Sequence, residues 1–152
     1  MKVVLASDHR GFAMKQNIKI ILDHLKVPYD DLGCYNQDAV DYPDYAKLAC
    51  EAINEHKADK AILTCGTGHG MAIAANKIPN IRAIACGDEL TVTRCRSQKD
   101  VNVLCFGEDW GQNLLPEILK SFLFTPFESD RERHQRRLTK ISALEKNKES
   151  NS

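Results

Sequence analysis

The residues best suited to chemistry stand together in Thr64-Cys65-Gly66-Thr67-Gly68-His69-Gly70. Lys60-Ala61-Ile62-Leu63 before them is an apolar run of strand length, and the alanine-rich Met71-Ala72-Ile73-Ala74-Ala75 behind them reads as helix. Glycines at the alternate positions 66, 68 and 70 let the backbone turn tightly and leave its N–H groups uncovered. Beside a helix N-terminus, such groups form a cradle for an anion or oxyanion. The strand delivers Cys65 to this cradle, where a thiolate would be a usable base or nucleophile. Thr67 can donate or relay a proton. A cysteine after a strand is ordinarily a small buried hydrophobe, but the glycine loop favours the chemical reading. The loop is not of the Walker type, because no Gly-Lys-Ser/Thr closes it. Met71 stands where a dinucleotide-binding fingerprint needs its third glycine, and where a Cys-x5-Arg phosphatase loop needs its arginine.

These groups must be held by a scaffold, and the rest of the chain describes one. At 152 residues it suits a single domain with a sizeable core. Lysine plus arginine equals aspartate plus glutamate at 21 each, which argues against a nucleic-acid or membrane-surface partner. No apolar run approaches membrane-span length, and Met1–Ser7 is too short for a signal peptide. The six cysteines contain no Cys-x-x-Cys pair and read as reduced thiols of a cytoplasmic protein with no metal site. Strands are expected at Val3–Ser7, Tyr29–Leu32, Lys60–Thr64, Ile81–Cys86 and Val101–Phe106. Helices are expected from Phe12 to Leu25, from Tyr42-Pro43, after the glycine loop, over Glu89–Ser97, from near Pro116 to Phe124, and over Glu128–Lys146.

That alternation predicts an α/β, Rossmann-like three-layer sandwich with a five-stranded parallel sheet and a long C-terminal helix. Residues 1–146 would form the domain and 147–152 a disordered tail. Ligands bind such sheets at the carboxyl ends of the strands, the edge that carries both Asp8-His9 and Cys65–Gly70. On the last helix Arg133 and Arg137 lie four apart on one face, ordinarily a solvated face but also a spacing that can clamp a phosphate.

Taken together, several motifs resemble the type B ribose-5-phosphate isomerases, a family that includes the galactose-6-phosphate isomerase subunits. They are Asp8-His9 with Gly11, Asp41-Tyr42-Pro43, Cys65-Gly66-Thr67-Gly68-x-Gly70, and Ala74-Ala75-Asn76-Lys77 with Ile81-Arg82-Ala83. Asn102-Val103-Leu104 with Phe106-Gly107, and Arg133-His134-Gln135 with Arg137, complete the likeness, which runs from about residue 2 to about residue 145. The resemblance implies a cofactor-free enzyme of the pentose phosphate pathway, a homodimer or homotetramer with shared active sites. Cys65 would move the proton between C2 and C1. Thr67 and the amides of Gly66, Gly68, His69 and Gly70 would hold the developing enediolate oxygen. Asp8 would bind sugar hydroxyls or aid ring chemistry, and Tyr42 would line the sugar pocket. His9, Arg133 and Arg137 match phosphate-binding positions, the arginines reaching across a dimer interface.

The chain also departs from the family pattern. The ring-opening histidine and the asparagine after it align with Gln98 and Lys99, and an arginine after Phe-Gly aligns with Asp109. Glutamine cannot exchange a proton near neutral pH. His69 and His9 are the candidates for the missing acid–base group. Two alternatives accompany the pentose reading: an isomerase of a six-carbon sugar phosphate such as allose or galactose 6-phosphate, and a sugar-phosphate-binding protein with impaired catalysis.

Overall fold

The computed structural model describes the backbone of residues 1–150 and the side chains of 1–111 and 113–145. The expected alternation forms. Strands β1 (Val3–Ser7), β2 (Tyr29–Asp31), β3 (Lys60–Cys65), β4 (Ala83–Ala85) and β5 (Val103–Gly107) make one parallel sheet in the order β2-β1-β3-β5-β4. Helices α1 (Phe12–His24), α2 (Tyr42–Asn54), α3 (His69–Ala75), α4 (Glu89–Lys99), α5 (Leu115–Phe124) and α6 (Glu132–Ser150) connect and flank it.

The period of two along each strand sorts side chains into two cores. Val3, Leu5, Ile62, Leu104 and Phe106 pack with Met14, Ile18 and Leu22 of α1, Val92 of α4, and Ile118, Leu119 and Phe122 of α5. On the opposite face Val4, Ala6, Ala61, Leu63, Cys65, Val103 and Cys105 meet Ala46, Ala49 and Cys50 of α2, and Met71 and Ala75 of α3. This second layer is built from small side chains, which lets α2 and α3 lie close to the sheet. Burial pushes the Cys50 thiol up to about 12 and holds that of Cys105 well above its ordinary value, so both act as packing groups.

Helix α4 leaves the carboxyl end of β4 and descends to the amino end of β5, so Gln98 and Lys99 at its C-terminus reach the edge where strands begin. Helix α6 lies along that same edge. The Glu128 N–H before it donates to the Ser97 carbonyl at 2.9 Å, and near its other end Glu145 Oε1 accepts from the Asn80 N–H at 3.0 Å.

Apart from an unexpected 3-10 turn at Gln112–Leu114, differences from the sequence reading lie at element ends. β4 starts two residues after Ile81 because the Arg82 N–H is taken by the Asn102 side chain at 2.8 Å. Asn76 then brackets Ala83, donating to its carbonyl and accepting from its N–H, which covers part of the sheet's edge. Helix α6 begins at Glu132, four residues later than expected, because 128–131 close a turn through Arg131 N–H to the Glu128 carbonyl. It continues to Ser150, past the boundary at 146, through Lys and Glu residues that favour helix. Residues 151–152 of the expected tail lie outside the described residues.

Candidate active site

Strands β2 and β3 lie on opposite sides of β1, so successive crossovers leave it in opposite directions. That reversal opens a crevice between the carboxyl ends of β1 and β3. The turn after β1 carries Asp8, His9, Arg10 and Gly11, and the turn after β3 carries the glycine loop. The two turns are locked together. Thr64 Oγ1 donates to the Gly11 carbonyl at 2.7 Å, and the Asp8 N–H donates to the Thr64 carbonyl at 3.2 Å. A side chain on Gly11 would meet the Thr64 carbonyl carbon at 2.3 Å, so only glycine allows this approach.

A cleft of about 420 Å³ lies over these turns, lined by Asp8, Arg10, Tyr42 and residues of the glycine loop. Cys65, the last residue of β3, is 3% exposed and forms its floor. Gly68 has φ of +79°, and in this conformation its N–H points at Cys65 Sγ, 3.2 Å away. An N–H aimed at the sulfur stabilises negative charge there. Asp8 is buried and accepts at Oδ1 from the Gly11 N–H at 2.9 Å, which fixes its carboxylate toward the cleft wall. Thr67 is exposed on the rim. Its Oγ1 accepts from the His69 N–H at 3.2 Å, leaving the hydroxyl proton free to donate. The Tyr42 ring lies directly over Gly70, whose added Cβ would stand 2.8 Å from it.

The remaining predicted residues fall elsewhere. His9 adjoins the cleft, and its Nδ1 accepts from the Val40 N–H at 3.2 Å, so its proton is carried on Nε2. His69 opens α3 exposed and turns edge-on to Trp110, with ring centroids 6.1 Å apart, rather than lining the cleft. Gln98, Lys99, Arg133 and Arg137 are at the opposite edge of the sheet from Cys65, the last two exposed on α6 while His134 between them is buried. One chain therefore does not bring them to the glycine loop.

Two residues that sequence reasoning passed over belong to the cleft or its border. Arg10 lines it and donates from Nη2 to Glu108 Oε1 at 2.5 Å, while the Glu108 N–H donates to the Gly66 carbonyl at 3.1 Å. Trp110 packs against Phe106 and beside Gly68, backing the loop. The signal for Arg10 was its place between His9 and Gly11, at the end of β1. Among the described residues no cluster of His, Cys, Asp or Glu could hold a metal ion. No helix of the described residues is long and apolar enough to cross a membrane.

Residues 3–141 match the family model described as Ribose/Galactose Isomerase. The chain is 37% identical over 145 residues to ribose-5-phosphate isomerase B of Escherichia coli K12, covering 95% of this chain and 96% of that one. Among solved structures, Clostridium thermocellum ribose-5-phosphate isomerase B superposes with a TM-score of 0.92 at 36% identity, covering 97% of this chain and 99% of its own. The Thermotoga maritima ribose 5-phosphate isomerase gives 0.89 at 40% identity, covering 93% and 97%.

Proposed function

The chain belongs to the ribose/galactose isomerase family, and we propose that it interconverts ribose 5-phosphate and ribulose 5-phosphate with Cys65 as the base. It is an isomerase, and its substrate is a sugar phosphate. The observation that carries the finer reading is the Cys65 thiol at the cleft floor, with the Gly68 N–H 3.2 Å from its sulfur.

In the open-chain aldose the Cys65 thiolate takes the proton from C2, and the C–H electron pair forms the C1–C2 double bond as the C1 carbonyl becomes an oxyanion. Thr67 and the loop amides hold that oxygen, where charge develops only on the way to the cis-enediolate. Transfer of the O2 proton to O1 and return of the thiol proton to C1 complete the ketose and restore the thiolate. Asp8 and Tyr42 position the sugar, and His9 offers Nε2–H to the phosphate. Arg133 and Arg137 complete the phosphate site of a partner subunit in a homodimer or homotetramer, because α6 holds them at the far edge of their own sheet. The enzyme serves the pentose phosphate pathway in the cytoplasm.

Purified protein incubated with ribose 5-phosphate and, separately, with allose 6-phosphate tests the reading. Ketose should form from the pentose in preference to the hexose. Ketose from the six-carbon substrate alone would replace this assignment with the hexose one. No ketose from either would leave the binding protein that Gln98 motivates, since an amide cannot serve as the ring-opening acid or base.

A further inference from the structure

The cleft over Cys65 has to accommodate a thiolate, the buried Asp8 carboxylate and an oxyanion that grows during reaction. Arg10 is the lysine or arginine of the described residues that lines it. Its guanidinium lies flat on Gly66: Cζ, Nη1 and Nε stand 2.7, 2.8 and 3.0 Å from where a Cβ on that residue would be. Gly66 adjoins the base in the chain, so the cation sits at the reacting end of the cleft. Glu108 fixes its direction, holding Nη2 with a carboxylate whose own backbone is tied to the Gly66 carbonyl. Among the described residues Nε and Nη1 donate to no protein atom, so Nη1, beside Gly66, keeps both of its N–H donors unused.

We propose that Arg10 is a catalytic residue: the two N–H groups of its Nη1 donate to the oxygens on C1 and C2 of the open-chain sugar and stabilise the enediolate. This rests on the isomerase reading above. The phosphate is at the other end of the substrate, on C5, and is not the group that meets Arg10. Glu108 is a positioning residue that holds Nη2 and so keeps Nη1 beside the loop.

Arg10→Met keeps the length of the stem and removes the donors. With ribose 5-phosphate its kcat should fall about 10- to 100-fold, at or below the usual cost of one preorganised oxyanion donor because the Arg10 side chain is 56% exposed. KM should change little. Inhibition by a phosphorylated four-carbon hydroxamate, which mimics the enediolate, should weaken by the same factor as kcat, and inhibition by inorganic phosphate should not change. Glu108→Gln should give a smaller loss of kcat in the same pattern, with Arg10 still present. Unchanged kcat in Arg10→Met, or a loss confined to KM together with weaker phosphate inhibition, would overturn the assignment. Either result with an active wild-type enzyme removes only the role of Arg10, whereas a wild-type protein inactive on ribose 5-phosphate removes the isomerase reading and this role with it.

Discussion

Two crippled variants of this protein should restore activity to each other. In one chain Cys65 ends β3, and Arg137 sits on α6 beyond the end where β3 begins. β3 spans six residues, and at about 3.3 Å per residue its two ends are about 16 Å apart, beyond the reach of an arginine side chain. If the partner's α6 supplies the phosphate clamp, each site draws Cys65 from one subunit and Arg137 from the other. Cys65→Ala lacks the base at every site. Arg137→Ala, assayed well below its raised KM, lacks the charge-assisted contact at every site. After random exchange of equal amounts, about half of the dimers are mixed, and each mixed dimer has one complete and one doubly defective site. About a quarter of the sites, and so about a quarter of wild-type activity, should return. Native mass spectrometry establishes the extent of exchange, and ketose formation reads the recovery. No recovery after complete exchange would refute a shared site.

Three further outcomes follow from particular contacts. Gly70→Ala would put a Cβ 2.8 Å from the Tyr42 ring, so it should displace the ring and raise KM severalfold with a smaller change in thermal midpoint. Asp31→Asn removes the charged partner of Lys15, which is 1% exposed, 2.7 Å from the carboxylate and otherwise bonded, among the described residues, only to the Cys34 carbonyl, and should cost about 3 kcal/mol in urea unfolding at pH 7. Burial pushes the Asp31 carboxyl up, but hydrogen bonds from Lys15, Gly33 and Lys19 outweigh it and hold the group below 3.8. Its stabilisation is therefore present above that value and lost as pH falls through the lower folded value, and the variant's acid limb should be flatter there. Lys60 is shifted the other way, lowered to about 8 by burial and then by Arg96. The unfolded state holds this proton more tightly, so wild-type stability should gain between about pH 8 and 10.5 relative to Lys60→Met, and thermal midpoints across that range check it.

The sheet was legible because apolar runs such as Val3–Ser7 and Lys60–Thr64 alternate with helical patterns, and parallel sheets bury both faces of such runs. The convergence of Cys65, Thr67 and Asp8 on one cleft was legible for the same reason, since the carboxyl ends of neighbouring strands lie side by side. Side-chain direction was not. His69 follows Gly68 in sequence, yet the turn to α3 and the Trp110 ring hold it outside the cleft. The placement of Gln98 and Lys99 at the far edge follows from α4 descending between two parallel strands, a consequence of topology that motif matching ignores. Arg10 was hidden by its company. It stands between His9 and Gly11, the residues of that turn which the resemblance singled out, and its partner Glu108 is distant in sequence. The start of α6 depended on the turn at 128–131 and its end on weak helix propensities, where no strong signal competes.

As the proposed base, the Cys65 thiolate moves the proton between C2 and C1. Ribose 5-phosphate incubated in D2O with wild-type protein should take up deuterium at C2 while ribulose 5-phosphate forms. Cys65→Ala should bind the sugar phosphate in a calorimetric titration but turn it over about 10²- to 10⁴-fold more slowly, with deuterium uptake falling by the same factor. Cys105→Ala, a substitution at a buried thiol of the sheet, should keep both. Turnover and deuterium uptake near wild-type levels in Cys65→Ala would exclude Cys65 as the base.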